Sequence, residues 1–343
     1  MRPLSIRIAS TTPRSSRKGN RITALRWARL LRELGHRVKV EEQYTGGPCD
    51  VLIALHARRS LPSVERFRAA HPDRPLVLAL TGTDLYRDIH TDARAREVLE
   101  WATRLVTLQP RALDELPRRL HARTRVILQS AECPGGPRPK PRAEAFEVCV
   151  LGHLRPVKDP FRAAEAVGLL PEGSRLRVLH IGGALSGDME ERARAEETSN
   201  PRYRWLGEVP RTRALRRLAG TRLLVLTSIS EGGANAVSEA LACGVPVVSS
   251  RISGSVGLLG TDYPGYFRVG DTRGLARLLR RVETDPRFYA ELQRRCRRLA
   301  RQVEPRRERE AWARLLAELK LDRPPPPAHP VKRPATRRAG RRG

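Results

Sequence analysis

Short apolar runs alternate with longer stretches of helical periodicity along most of the chain, and that alternation points to parallel sheets covered by helices on both faces. In the first part, Leu4 to Ala9, Val51 to Leu55, Leu76 to Leu80, Leu105 to Leu108 and Val126 to Leu128 read as strands. Ala24, Trp27, Leu30, Leu31 and Leu34 fall on one side of a helix that ends at Gly35, and His36 to Val40 reads as a further strand. Pro134 to Pro141 is dense in proline and glycine and marks a hinge. Beyond it the strands are Val148 to Leu151, Arg177 to Ile181, Tyr203 to Leu206, Leu223 to Thr227 and Val245 to Ser249. A chain of 343 residues is long enough for two cores. The expected division is a first α/β domain over 1–133, a linker over 134–145, a second α/β domain over 146–304, a helical segment over 305–322 and a disordered tail over 323–343.

The formal charge of +29 raises nucleic-acid binding, but the excess is arginine spread over every predicted helix, and at 4% aromatics there are few platforms on which bases could stack. No specific nucleic-acid partner is expected. The basic tail could grip an anion, although a solvated extension is the plainer reading. The cysteines at 49, 133, 149, 243 and 296 show no zinc-type spacing, and their odd number argues against a disulfide framework. Reduced thiols and no metal are therefore expected. The strand-like run Met1 to Ala9 does not resemble an export signal, and no run of 18 apolar residues occurs, so a soluble cytoplasmic protein without a membrane partner is expected.

The stretch from Ser230 to Val248 carries the most chemistry. Glu231 and Glu239 stand eight positions apart, the first in a loop with Gly232 and Gly233, the second about one turn into the helix that follows. First-turn amides have no intrahelical partner and carry the positive end of the helix dipole, which favours a phosphate or diphosphate beside Gly233, Ala234 and Asn235. The glycines let a ligand approach the backbone. Carboxylates repel phosphate but accept from sugar hydroxyls, so the two glutamates suit a sugar ring. Together these read as a nucleotide-sugar site. The plainer alternative is a loop, a solvated glutamate and a Gly244 helix cap before a buried strand.

This arrangement resembles the donor signature of retaining GT-B glycosyltransferases of glycosyltransferase family 4. Within that group, the segments Gly19 to Ala28, Leu80 to Asp88 and Gly152 to Pro160 look like those of the selenosugar synthases of selenoneine biosynthesis. The resemblance spans roughly residues 4 to 320. It implies a GT-B architecture of two Rossmann-like domains facing a cleft, the first for the acceptor and the second for the nucleotide sugar. It also implies transfer of a sugar from a UDP-sugar to the selenium of selenophosphate. UDP-N-acetylglucosamine is the expected donor, with UDP-glucose open. The UDP-sugar is a co-substrate and no cofactor is expected. A partner enzyme that consumes the selenosugar is implied, and the helix after 305 packs back on the first domain.

Breaking a sugar–diphosphate bond builds negative charge on the leaving group, and stabilising it is the main task. Lys158 follows the Gly152 turn at the carboxyl end of a strand, where doubly wound folds bind ligands, and is assigned with Glu231 to the chemistry. In the family pattern an arginine directly follows this glycine. Here His153 stands there and Arg155 comes two residues later, so Arg155 either takes over that role or lies outside the cleft. His153 could hydrogen-bond the sugar or phosphate. Arg14, Arg17, Lys18, Gly19, Asn20 and Arg21 combine cations, glycine and a helix start, which reads as a second anion site for a small charged acceptor; a mobile basic loop is the alternative. Asp84 either orients the acceptor or sugar, or caps the helix Leu85 to Ile89. His56 is expected to be a satisfied structural histidine. Selenophosphate is already anionic and polarisable, so no tuned general base is required. The competing functions are transfer to a glycan or lipid acceptor, a noncatalytic basic binding protein, and a NAD-dependent dehydrogenase, the last disfavoured because the first strand lacks a Gly-x-Gly-x-x-Gly turn.

Overall fold

A computed structural model describes residues 2–13, 19–137, 139, 141 and 143–319. It contains two six-stranded sheets in which every strand pairing is parallel. The first comprises β1 (Ser5–Ala9), β2 (Arg37–Glu41), β3 (Val51–Leu55), β4 (Leu76–Leu80), β5 (Arg104–Thr107) and β6 (Thr124–Val126), in the order β2-β1-β3-β4-β5-β6. The second comprises β7 (Phe146–Leu151), β8 (Leu176–Ile181), β9 (Tyr203–Trp205), β10 (Leu223–Leu226), β11 (Val247–Ser250) and β12 (Tyr266–Phe267), in the order β12-β11-β10-β7-β8-β9. The sequence pattern gave no sign of β12, which at two residues is too short to show one. All five residues of β3 and of β4 are buried, as expected for central strands covered on both faces. This is the two-domain GT-B architecture implied by the sequence.

In each sheet the strand order reverses once, between β1 and β3 and between β7 and β10, and loops at the carboxyl ends of the flanking strands splay apart there. These two switch points position the site. The first helix, α1 (Gly19–Glu33), buries Thr23, Ala24, Trp27, Ala28, Leu30 and Leu31. Gly35 ends it with φ 86°, and His36 N donates back to Leu31 O at 3.1 Å, the six-to-one bond of a Schellman cap. The remaining helices used below are α2 (Ala57–Ala70), α3 (Arg211–Ala219), α4 (Asn235–Ala242) and α5 (Pro305–Glu318).

After the second sheet the chain returns to the first domain. In α5, Trp312, Leu315 and Leu316 join the core formed by β1, β3 and α1, and the Trp312 and Trp27 rings meet edge to face with centroids 4.8 Å apart. Glu308 is buried beside them. It accepts from Trp27 Nε1 at 2.7 Å and Ser130 N at 2.8 Å and pairs with Arg26 at 3.1 Å, the partners a buried carboxylate needs to remain folded-in.

One expectation is corrected. Cys133 and Cys243 form a disulfide, 110 residues apart in sequence but with Cα atoms 4.9 Å apart, whereas Cys49, Cys149 and Cys296 are buried free thiols. Linear spacing carries no sign of this pair because the chain crosses between domains after Cys133 and Cys243 closes α4. No helix among the described residues is long and apolar enough to cross a membrane, and no cluster of potential metal ligands occurs among them. The tail beyond 319 lies outside the described residues.

Candidate active site

A cleft of about 630 Å³ opens between the carboxyl ends of the two sheets. The second domain contributes three elements to it: the turn after β7, the loop after β10, and the amino end of α4. Gly152, His153, Arg155 and Lys158 line the cleft from the first of these, and Glu231, Gly232, Gly233, Ala234, Asn235 and Glu239 from the others.

The chain enters α4 through Ala234 at φ 25° and ψ 59°, and the first helical bond runs from Val237 N to Ala234 O. The amides before Val237 therefore belong to the free first turn, and the residues that carry them line the cleft. Glu239 lies on the same helix and is buried. Its carboxylate pairs with Arg211 Nη1, at the start of α3, at 2.5 Å. Burial pushes the Glu239 carboxyl above the usual range, and Arg211 opposes that shift. Glu231 receives Lys158 Nζ and, at 2.7 Å, Ser228 Oγ. Lys158 and Glu231 thus form one ion pair across the two loops, so the lysine is positioned by the carboxylate before any phosphate arrives.

His153 lines the cleft with its ring anchored. Gly183 N donates to His153 Nδ1 at 3.2 Å, which leaves the proton of the neutral ring on Nε2 as a donor for a ligand oxygen. Arg155 lines the cleft rather than lying outside it, with no side-chain partner among the described residues.

Gly232 and Gly233 do more than admit a ligand. A β-carbon on Gly232 would fall 2.1 Å from Thr81 O, and one on Gly233 would fall 2.6 Å from Leu108 Cβ. Both glycines are required by the close approach of the two domains. Gln129, oriented with its amide oxygen toward Thr23 and Arg26, donates to Asn235 Oδ1 at 2.8 Å and Gly233 O at 3.3 Å, so the first domain holds the α4 entry loop directly.

The facing wall includes Gly19, Asn20 and Arg21 at the start of α1. A β-carbon on Gly19 would lie 3.9 Å from Asn235 Nδ2, so the amino ends of α1 and α4 face each other across the cleft. Arg14, Arg17 and Lys18 lie outside the described residues. Asp84 does not line the cleft, which corrects its assignment to acceptor binding. It is wholly buried, with its oxygens taken by Thr81 N, Gly82 N and Ala57 N at 2.8–3.2 Å, so it shapes the β4 loop. Nor does it cap the helix after it, because those amides precede it. Arg211, Ser228 and Gln129 were missed from the sequence. Only Arg211 had a local signal, a helix start after Pro210, and that is common to many helices.

Two doubly wound parallel domains meet at this cleft in the GT-B arrangement, with a helix amino end, a lysine and two glutamates among its lining. Residues 138–303 match the family of glycosyl transferases group 1. No curated protein matches the chain in sequence. Among solved structures, Anabaena Alr3699/HepE, crystallised with UDP and glucose, is similar at a TM-score of 0.72 and 17% identity, covering 92% of this chain and 100% of its own. Sucrose-phosphate synthase from Thermosynechococcus elongatus gives 0.73 and 16%, covering 93% and 99%. A UDP-forming trehalose-phosphate synthase from Burkholderia xenovorans, in complex with glucose-6-phosphate, gives 0.65 and 16%, covering 88% and 77%. At these identities the likeness is one of fold.

Proposed function

We propose that the protein transfers N-acetylglucosamine from UDP-N-acetylglucosamine to the selenium of selenophosphate. The observation that carries the donor half is the cluster around α4: free helix amides and Lys158 for a diphosphate, with Glu231 and Glu239 beside them for sugar hydroxyls. The UDP and UDP-glucose complexes of HepE support the same class of donor. The acceptor half rests on the sequence resemblance and on the cationic wall opposite.

In the reaction the bond from the anomeric carbon to the UDP oxygen breaks and UDP leaves with the electron pair, while a selenium lone pair forms the carbon–selenium bond. The α4 amides, Lys158 and His153 Nε2 stabilise the charge growing on the diphosphate. Selenium enters as an anion, so no proton need be removed from it. The immediate product is a glycosyl ester of selenophosphate; addition of water across its phosphorus–selenium bond gives the 1-selenosugar and phosphate. A partner enzyme would then consume the selenosugar for selenoneine.

Leu25 and Leu185 are each nearly half exposed at 48% and 45% while lining the cleft, which favours as a second reading an acceptor with an apolar portion, such as a lipid-linked glycan. The deciding experiment is mass spectrometry of a reaction containing UDP-N-acetylglucosamine and fresh selenophosphate, with UDP-glucose and thiophosphate in parallel. A selenium isotope pattern on a sugar supports the proposal and ranks the donors. UDP-sugar binding without that product discards selenophosphate and leaves the second reading.

A further inference from the structure

The first domain has its own switch point, between β1 and β3, and the side chains gathered there have unspent hydrogen-bond donors. Arg21 Nε and Nη1 are buried without a partner among the described residues. Buried donors left without an acceptor are unfavourable. An oxyanion in the cleft would supply one. Arg59, in the first turn of α2, lines the same cleft and has no side-chain partner among the described residues.

His56 follows β3 and caps α2 with φ 75°, a conformation unfavourable for a non-glycine residue that persists where the surroundings enforce it. The strain places a buried ring between two groups. Nδ1 accepts from Arg59 N at 3.4 Å, so the proton of the neutral ring sits on Nε2, which lies 3.0 Å from Thr83 Oγ1. Thr83 Oγ1 accepts that proton's bond and its own hydrogen is then free to point into the cleft. Burial holds His56 below its ordinary pKa, which keeps the ring neutral. Of the carboxylates of this wall, Asp84 is taken by backbone amides, and Asp88, which pairs with Arg87 at 3.0 Å, stands 3.8 Å from His56 Nε2, farther than Thr83 Oγ1 at 3.0 Å.

We propose that Arg21, Arg59 and the Thr83 hydroxyl form a subsite for the phosphoryl oxygens of the acceptor, with His56 as the positioning residue that orients Thr83 and the first turn of α2. This rests on the reading of the acceptor as a small tetrahedral oxyanion. The wall offers donors and positive charge, which suit a dianion and would be wasted on a neutral sugar. It also faces the amino end of α4, so an acceptor held by its phosphoryl group presents its remaining heteroatom toward the donor sugar.

Thiophosphate, a stable stand-in, is titrated calorimetrically into UDP-saturated protein. Wild type binds it; Arg59→Ala and Arg21→Ala weaken it at least tenfold with UDP affinity unchanged, and Arg59→Lys restores part of the loss. Arg59 is exposed, so its variants keep the fold. His56→Gln raises the acceptor KM with the UDP affinity unchanged, a split that general destabilisation would not give. If wild type binds thiophosphate and both alanine variants bind it equally well, the subsite is refuted while the acceptor reading stands. If UDP-saturated wild type takes up none, both fall together.

Discussion

Gly232→Ala tests whether the seam between the domains belongs to the working enzyme. The new β-carbon would stand 2.1 Å from Thr81 O, 2.4 Å from Thr81 C and 2.8 Å from Gly82 N. These are backbone atoms, and Asp84 holds that loop through Thr81 N and Gly82 N, so they cannot turn aside as a side chain would. Real contacts stay above 3.0 Å, so the seam must open by about 0.9 Å, from 2.1 to 3.0 Å. Overpacking of this kind costs about 1–3 kcal/mol. Both sheets keep their cores, so the cost falls on the closed arrangement, and at a factor of ten per ~1.4 kcal/mol the closed population drops about 5- to 150-fold. The expected result is a fall in kcat/KM of that size, read as UDP release with UDP-N-acetylglucosamine and selenophosphate, with a thermal midpoint close to wild type. A kcat/KM within twofold of wild type would refute the link between this seam and turnover.

Lys158→Ala removes the cation proposed to meet the leaving diphosphate and is expected to lower kcat by about 10²- to 10³-fold in the same assay. Glu239→Gln is expected to weaken binding of the UDP-sugar, but not of UDP, by about 1.5–3 kcal/mol in calorimetry. The same substitution has a pH signature. Burial raises the folded-state pKa of Glu239 above its ordinary 4.5, so the stability linked to its protonation is present below that value and is lost as pH rises through the folded pKa. Glu239→Gln should therefore gain stability relative to wild type as pH rises from about 4.5, measured by urea unfolding. Cys133→Ser opens a loop closed over 110 residues and is expected to cost up to about 4.7 kcal/mol, seen as a lower thermal midpoint that reductant reproduces in wild type.

The sequence by itself determined the two doubly wound sheets and the loop and helix segments with which the second domain lines the cleft. Those features are local: β3 and β4 are continuous apolar runs, α1 and α4 end at glycines, Glu231 and Lys158 sit on loops that follow strands, and Glu239 sits in the helix α4 that follows the Glu231 loop. Interactions between distant segments were decided only in three dimensions. Asp84 looked cleft-facing because a strand precedes it, but the fold buries it against the amide of Ala57, on a different strand's loop. Cys133 and Cys243 looked unrelated until the crossover laid the connector against the end of α4. Gly232 and Gly233 read as room for a ligand, yet each is also required by backbone or side chains of the other domain. Gln129 had no sequence signal and Arg211 only a helix start common to many helices, because their partners, Asn235 and Glu239, lie on other elements. Periodicity and capping act over a few neighbouring residues, so a single chain displays them; a contact across a cleft depends on how two finished domains meet, which no local pattern records.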